Sequence, residues 1–190
     1  MTALMDRVVS TTRGVSVLGW VGFGIGAMFV GFIALFVAGE TLVDPGGWQG
    51  VGLTAAWLLP MLALAVLALL RPAAAVPVLA VATLLPLGFG VWSLLDYEGA
   101  RGWEDSHGPL GLLLLLVVAA GLVVLGLARP WEAGVLLLVA TVGPALLTMV
   151  GAGSDWLEPM SIAFITGPLV AAGVLFLLAA RRPEVPAPTR

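Results

Sequence analysis

The chain has 190 residues, of which 61% are hydrophobic and only 10% are charged. Soluble domains carry about 25% charged residues, so this composition excludes an ordinary water-soluble fold. The formal net charge of −3 argues against nucleic-acid binding, which needs clustered cations. The absence of cysteine excludes disulfides, thiolate metal sites and cysteine nucleophiles.

Six long apolar stretches make up most of the chain, at about 15–38, 50–70, 74–95, 109–128, 133–152 and 159–180. Each reaches the roughly 20 residues that a helix needs to cross about 30 Å of hydrocarbon. None contains Asp, Glu, Lys, Arg or His. In lipid the backbone must satisfy its own hydrogen bonds, so such runs form helices. We therefore predict an all-α integral membrane protein with a six-helix transmembrane bundle over 15–180, arranged as three hairpins.

The first stretch also follows basic residues, as the apolar core of a signal peptide does. Its apolar run is about twice the length of such a core. We therefore expect it to remain as the first span.

Charge is confined to the gaps between these stretches and alternates from gap to gap. One face collects most of the arginines, namely Arg7, Arg13, Arg71, Arg129, Arg181, Arg182 and Arg190. The other face has Arg101 and eight acidic residues, namely Glu40, Asp44, Asp96, Glu98, Glu104, Asp105, Asp155 and Glu158. Because arginine-rich loops stay in the cytoplasm, we predict an N-in/C-in protein with a cytoplasmic segment 1–14 and a disordered cytoplasmic tail 181–190.

The use of arginine as the sole basic residue type, with abundant Ala, Gly, Leu and Val, is typical of a GC-rich bacterial genome. This composition predicts location in the inner (plasma) membrane of a bacterium.

A weak internal repeat has a period of 58 residues, which separates Arg71-Pro72 from Arg129-Pro130. At the same offset, Val81-Ala82-Thr83 matches Val139-Ala140-Thr141, and Pro86 matches Pro144. An even number of helices per unit would give a parallel repeat, a kind that some transporters use. Chance similarity in an Ala/Leu/Val-rich chain is the alternative.

Five prolines fall within the predicted spans, at Pro60, Pro77, Pro86, Pro144 and Pro168. They indicate either broken helices that line a substrate path or ordinary kinks at packing sites. The second reading is the simpler one, since no ionisable residue accompanies them. We expect the hydroxyls of Thr83 and Thr141 to bond to the carbonyls that Pro86 and Pro144 leave free.

Small residues recur at four-residue spacing in the first span, where Gly22 pairs with Gly26 and Ala27 pairs with Gly31. Such spacing lets two helices approach closely. The glycines predict a helix-packing face, which serves either another helix of the same chain or a second copy of the protein.

The gap at 96–108 is the one cluster of metal-ligand side chains, with Asp96, Glu98, Glu104, Asp105 and His107. Carboxylate oxygens and an imidazole could hold a cation there. The spacing follows no known metal motif, and glycines at 99, 102 and 108 predict a flexible loop. A solvated acidic loop is the alternative.

Tryptophans near the predicted span ends are typical of membrane-interface anchors, namely Trp48, Trp92, Trp103, Trp131 and Trp156. Trp57 lies deeper, in the second span. We expect it to pack in the core with a partner for its indole N–H.

No motif for catalysis or ion coupling is present. Coupled transporters usually carry ionisable residues within the bilayer, and hydrolases need an acid, base, nucleophile or metal. We therefore expect a non-enzymatic membrane protein without a cofactor, acting as an accessory or scaffold subunit. The alternative is a small uncoupled transporter or channel for a neutral or apolar solute, and a third hypothesis is an outer-face sensor of cations or lipid headgroups. The expected partners are the bilayer and either another membrane protein or further copies of the chain, with no nucleic acid.

Three short features carry a family resemblance: Leu127-Ala128-Arg129-Pro130, Gly39-Glu40, and a last helix with Gly167-Pro168-Leu169 and Gly173–Leu178. In these the chain resembles uncharacterised small bacterial multi-pass inner-membrane proteins. The resemblance implies a bacterial inner membrane and no particular activity.

Overall fold

A computed structural model of the chain describes residues 15–151 and 157–181, and the side chains within these ranges except those at 45, 107 and 157–165. Among these residues the chain is helical and contains no strand. The elements are α1 (Val17–Thr41), a π-helical turn (Leu42–Gly46), α2 (Gly47–Leu70), α3 (Pro72–Ala82), α4 (Leu84–Leu95), α5 (Tyr97–His107), α6 (Leu110–Leu125), α7 (Pro130–Gly151) and α8 (Leu157–Ala180). The predicted segment 1–14, most of the predicted tail (182–190) and Trp156 lie outside the described residues.

Several of these helices are long and apolar enough to cross a membrane. Four reach that length, namely Val17–Asp44, Gly47–Leu70, Pro72–Leu95 and Pro130–Gly151. A fifth results if α5 and α6, which meet at a bend of 82°, form one broken span. The described apolar part of α8, Thr166–Ala180, is shorter. The predicted all-helical membrane class is therefore confirmed, with four to five candidate spans among the described residues.

Helix α6 stands at the centre of the bundle. It contacts α1, α2, α3, α4 and α7, while α1, α8, α7, the α3–α4 segment and α2 follow one another around it. Its buried residues lie on every side of the helix: Leu115, Leu116, Val118, Ala119, Gly121, Leu122, Val123 and Leu125. A helix that is apolar all round belongs in a core, which explains the run of leucines at its start.

Contacts between glycines and their neighbours give the helix directions. Gly19 lies beside Ala179 and Gly26 beside Ala172, so α1 and α8 are antiparallel. Gly90 lies against Pro144 and Gly151 against the Ser93 carbonyl, so α4 and α7 are parallel. These directions bring the starts of α1, α3 and α7 and the ends of α2, α6 and α8 to one end of the bundle.

The two ends of the bundle thus differ in charge. We call the end with Arg71, Arg129 and Arg181 the arginine end, and the end with Asp44, Asp96 and α5 the acidic end. At the arginine end, Arg129 Nη1 donates to Glu132 Oε1 at 2.9 Å. Both side chains are exposed enough that this ion pair contributes little stability.

The residues of the 58-residue repeat have matching surroundings. Thr83 donates its hydroxyl to the Leu79 carbonyl at 2.8 Å, and Thr141 donates to the Leu137 carbonyl at 2.7 Å. Both leucines are fully buried. The first residues of the two repeat units also match. The Arg71 N–H donates to the Leu67 carbonyl and the Arg129 N–H to the Leu125 carbonyl, both at 2.8 Å. Equivalent positions of the repeat therefore form equivalent hydrogen bonds in α3–α4 and α7.

These bonds correct the prediction for the threonines. Their hydroxyls bond one turn back, to residues 79 and 137, and not to the carbonyls of residues 82 and 140 that Pro86 and Pro144 leave free. A helical threonine reaches the carbonyl of residue i−4, whereas the carbonyl of the preceding residue points away from it. The predicted third span is nevertheless interrupted, since α3 ends at Ala82 and α4 begins at Leu84.

The segment predicted as a flexible loop is also different in the structure, because residues 97–107 form α5. Asp96 caps this helix by accepting the Gly99 N–H at 3.0 Å. Ala100 is 2% exposed, which shows that α5 rests on the bundle. Glycines lower helix propensity, but an N-cap and a buried face outweigh that cost here.

Candidate functional site

A cavity of about 350 Å³ lies at the acidic end, between α4, α5, α6, α7 and Thr166 of α8. The first turns of α6, which begins at Leu110, form one of its walls. At 16 residues, α6 is about 24 Å long, which is shorter than the hydrocarbon layer is thick. The principal lining residues are Pro86, Phe89, Ser93, Tyr97, Arg101, Glu104, Asp105, Leu112, Leu115, Thr141, Pro144, Ala145, Thr148 and Thr166.

The walls of the cavity are largely apolar. Phe89 comes from α4, Leu112 and Leu115 from α6, and Pro144 from α7. Pro86 and Pro144, the matched prolines of the repeat, both lie in the lining. Two of the five predicted kink prolines thus belong to the site, and the position of the others gives them no part in it.

Buried hydroxyl groups supply hydrogen-bonding capacity inside the cavity. Ser93 is 3% exposed, Thr141 1% and Thr166 7%. The Thr141 proton is used by the Leu137 carbonyl, but its oxygen can still accept a hydrogen bond. The Ser93 hydroxyl can both donate and accept a hydrogen bond and lies in the cavity lining.

Within the described part of the lining, the charged groups all come from one helix. Arg101, Glu104 and Asp105 of α5 line the opening beside Tyr97, and we call these four residues the α5 rim. Glu104 Oε1 accepts the N–H of Gly111 at 2.8 Å. This bond places a carboxylate at the start of α6, where the unpaired N–H groups favour negative charge. It also fastens α5 to the central helix.

Toward the arginine end the cavity is closed. One turn beyond Thr141, Leu137 and its repeat counterpart Leu79 are fully buried. Leu122 of α6 and Phe176 of α8 are also fully buried at this end, and the Phe176 ring packs against Gly126. Among the described residues the cavity is therefore a pocket with one open end and not a channel.

The metal site predicted at 96–108 stays a prediction, because the described side chains do not include that of His107. No three His, Asp or Glu residues cluster within the part of the chain that the structure describes. Asp96 and Glu104 cap helices instead, Glu98 is exposed on α5, and the His107 side chain lies outside the described side chains. Asp105 belongs to the α5 rim. An N-cap aspartate at position 96 was the sequence signal for α5 that the loop prediction missed.

The glycines of α1 divide into two groups. Gly22 lies against Ala172, Leu175 and Phe176, and Gly26 lies against Val123 and Ala172. They pack within the chain, so a second copy cannot use them as a seam. Gly31 is exposed and has no atom within 4 Å of its ideal Cβ, so it takes no part in packing within the described chain, and a packing role against a second copy stays a prediction.

The tryptophans also differ in environment. Trp48 is 89% exposed, Trp131 51% and Trp103 36%. Trp92 is half-buried, and its ring packs edge-to-face on Phe89 with 5.8 Å between the ring centroids. Trp57 is buried, as expected. Its indole N–H has no hydrogen-bond partner among the described residues, contrary to the prediction.

Comparison with known proteins adds no relative. No protein-family model matches the sequence, and neither curated proteins nor solved structures give a match. The resemblance to small bacterial inner-membrane proteins stays a prediction, and the cavity must be interpreted from its own chemistry.

Proposed function

We propose that the chain is a six-span, N-in/C-in protein of a bacterial plasma membrane. The separation of Arg71, Arg129 and Arg181 from the acidic end supports this orientation, because arginine-rich ends remain in the cytoplasm. Six spans result when α3 with α4, α5 with α6, and the whole of α8 each count as one crossing. On this proposal the cavity opens on the outer side.

We further propose that the protein works by binding and not by catalysis, as an accessory subunit that holds a small, mainly apolar molecule in the cavity. The observation that carries this proposal is the one-ended pocket of about 350 Å³. This volume lies within the range of ligand pockets, which are apolar with a few convergent polar groups. Ser93, Thr141 and Thr166 are the polar groups here.

An uncoupled carrier for a neutral or apolar solute is the second candidate. It is favoured by the parallel pairing of the repeated helices α4 and α7 around the cavity, at the level where Pro86 and Pro144 lie. Carriers often bind their solutes between repeats, beside interrupted helices. Because the cavity is closed toward the arginine end, it gives no path through the protein. We therefore prefer the binding role to the carrier role.

Two tryptophan substitutions on α7 test the proposal. Ala145 lines the cavity, whereas its neighbour Leu146 is 56% exposed on the outside of the bundle. Ala145→Trp would fill the cavity, and Leu146→Trp is the matched control. Native mass spectrometry of protein purified from membranes should detect a bound small molecule on the wild type and on Leu146→Trp, with at least tenfold less on Ala145→Trp. Equal occupancy of the two variants, or no bound molecule on the wild type, would overturn the proposal.

A further inference from the structure

The charges around the cavity are unequal. The α5 rim has two carboxylates, Glu104 and Asp105, against one cation, Arg101. Asp96 and Glu98 lie at the start of the same helix, and Asp44 lies at the same end of the bundle. The electrostatic potential at the opening is therefore negative, which raises the local concentration of cations and lowers that of anions.

Aromatic rings stand next to this negative opening. Phe89 and Tyr97 line the cavity, and Phe89 is held edge-to-face by Trp92. The faces of aromatic rings attract ammonium groups, and they do so more strongly where water is excluded. A cationic group near the rim would meet carboxylates on one side and aromatic rings on the other.

The deeper part of the cavity suits an apolar part of a ligand and not a charged one. Its walls include Leu115 and Pro144, and none of the described residues that line this part is charged. The Thr141 hydroxyl already donates its proton to the Leu137 carbonyl, so it does not need a polar group of the ligand as an acceptor. An apolar chain is the group that fits this half, since a buried charge without a partner would be costly.

We propose that the ligand is a lipophilic cation: a single apolar chain or ring that carries one ammonium or similar monovalent cationic group. The cationic group lies at the α5 rim with Asp105, Glu104 and Phe89, and the apolar part extends toward Thr141. This inference rests on the proposed function, because it names the class of molecule that the cavity holds. The Ser93 hydroxyl, which lies on α4 one turn nearer the acidic end than Phe89, accepts a hydrogen bond from any N–H that the cationic group carries.

Three probes with the same tail test the inference: octyltrimethylammonium, 1-octanol and octanoate. Saturable stabilisation against heat is measured on the full chain in nanodiscs of a zwitterionic lipid, so that partition into the bilayer is matched between protein variants. We expect octyltrimethylammonium to bind about tenfold more tightly than 1-octanol, and octanoate to bind least. Exposed charges and cation–π contacts each contribute about 0.5–1 kcal/mol, and 1.4 kcal/mol corresponds to a factor of ten.

Variants separate this inference from the proposed function. Asp105→Asn should reduce the preference for the cation about threefold and leave the binding of 1-octanol unchanged. Glu98→Gln, which removes a carboxylate of the same helix outside the cavity lining, is the control and should have a smaller effect. If Ala145→Trp abolishes 1-octanol binding but wild type shows no preference for the cation, or if octanoate binds as tightly as the cation, the lipophilic-cation inference is wrong while cavity binding stands. If Ala145→Trp binds all three probes as wild type does, the proposed function itself fails.

Discussion

Gly26 shows how one hydrogen atom in place of a side chain decides the packing of this bundle. An ideal Cβ at this position would lie 2.6 Å from Cγ2 of Val123 on the central helix. Valine has little rotamer freedom and cannot move aside without a shift of the helix. Close approach at Gly26 therefore fixes the distance between α1 and α6.

Gly26→Ala should destabilise the protein by about 1–3 kcal/mol, because overpacking forces such shifts. The matched control is Gly31→Ala in the same helix, which places its Cβ in open space. This control should keep or slightly raise stability, since alanine is the better helix former by about 1 kcal/mol. Thermal unfolding in detergent compares the two, and equal stabilities would contradict the packing described for α1.

Helix α5 is the element whose position creates the site. The contacts that hold it on the bundle include the buried Ala100 and the bond from Gly111 to Glu104, and Asp96 caps its first turn. A hydrogen bond to a charged group contributes about 1.5–3 kcal/mol. Glu104 should therefore control how often α5 lifts from the bundle and opens the cavity.

Thiol labelling measures this opening, because the chain has no cysteine and Ser93→Cys provides a single thiol in the lining. Addition of Glu104→Ala should raise the rate of maleimide labelling at position 93 at least about tenfold, as expected from the loss of 1.4 kcal/mol or more. Glu104→Gln keeps an acceptor oxygen and should raise the rate less. If the alanine and glutamine variants label at the same rate as the parent, Glu104 does not hold α5 in place.

The elements also show what the sequence could and could not predict. The long apolar runs predicted helices because lipid offers no hydrogen-bond partner to the backbone, and Arg-Pro pairs marked two of their boundaries. Helix α5 was missed because its two internal glycines favour a loop, while the burial of Ala100 depends on tertiary packing. The cavity could not be predicted at all, since it depends on how five helices pack around the first turns of α6 and below α5.

The central helix α6 has 16 residues, whereas α1, α2, α7, α8 and the α3–α4 segment around it each extend over at least 22. Helix α6 is covered by protein, so it does not have to match the thickness of the bilayer by itself. The outer helices present exposed apolar side chains such as Met28, Leu35 and Leu59, which suit contact with lipid. The cavity lies beside the first turns of α6, at the acidic end of this bundle.

The repeat relates two of the helical segments that surround the cavity. Leu79 and Leu137, with Thr83 and Thr141, form matching hydrogen bonds in α3–α4 and α7, and α4 packs parallel to α7. Two similar units thus face each other across the cavity, but only the second is a continuous helix. The pocket that results is asymmetric, since the charged groups among its described lining residues all belong to α5.

The proposed orientation puts the cavity and the arginines on opposite faces of a membrane. Two single-cysteine variants test it: Gly102→Cys, on the exposed side of α5, and Arg71→Cys, at the arginine end. A membrane-impermeant maleimide should label Gly102→Cys in intact cells and Arg71→Cys only after the cells are permeabilised. Labelling of both variants in intact cells, or of Arg71→Cys alone, would contradict the account.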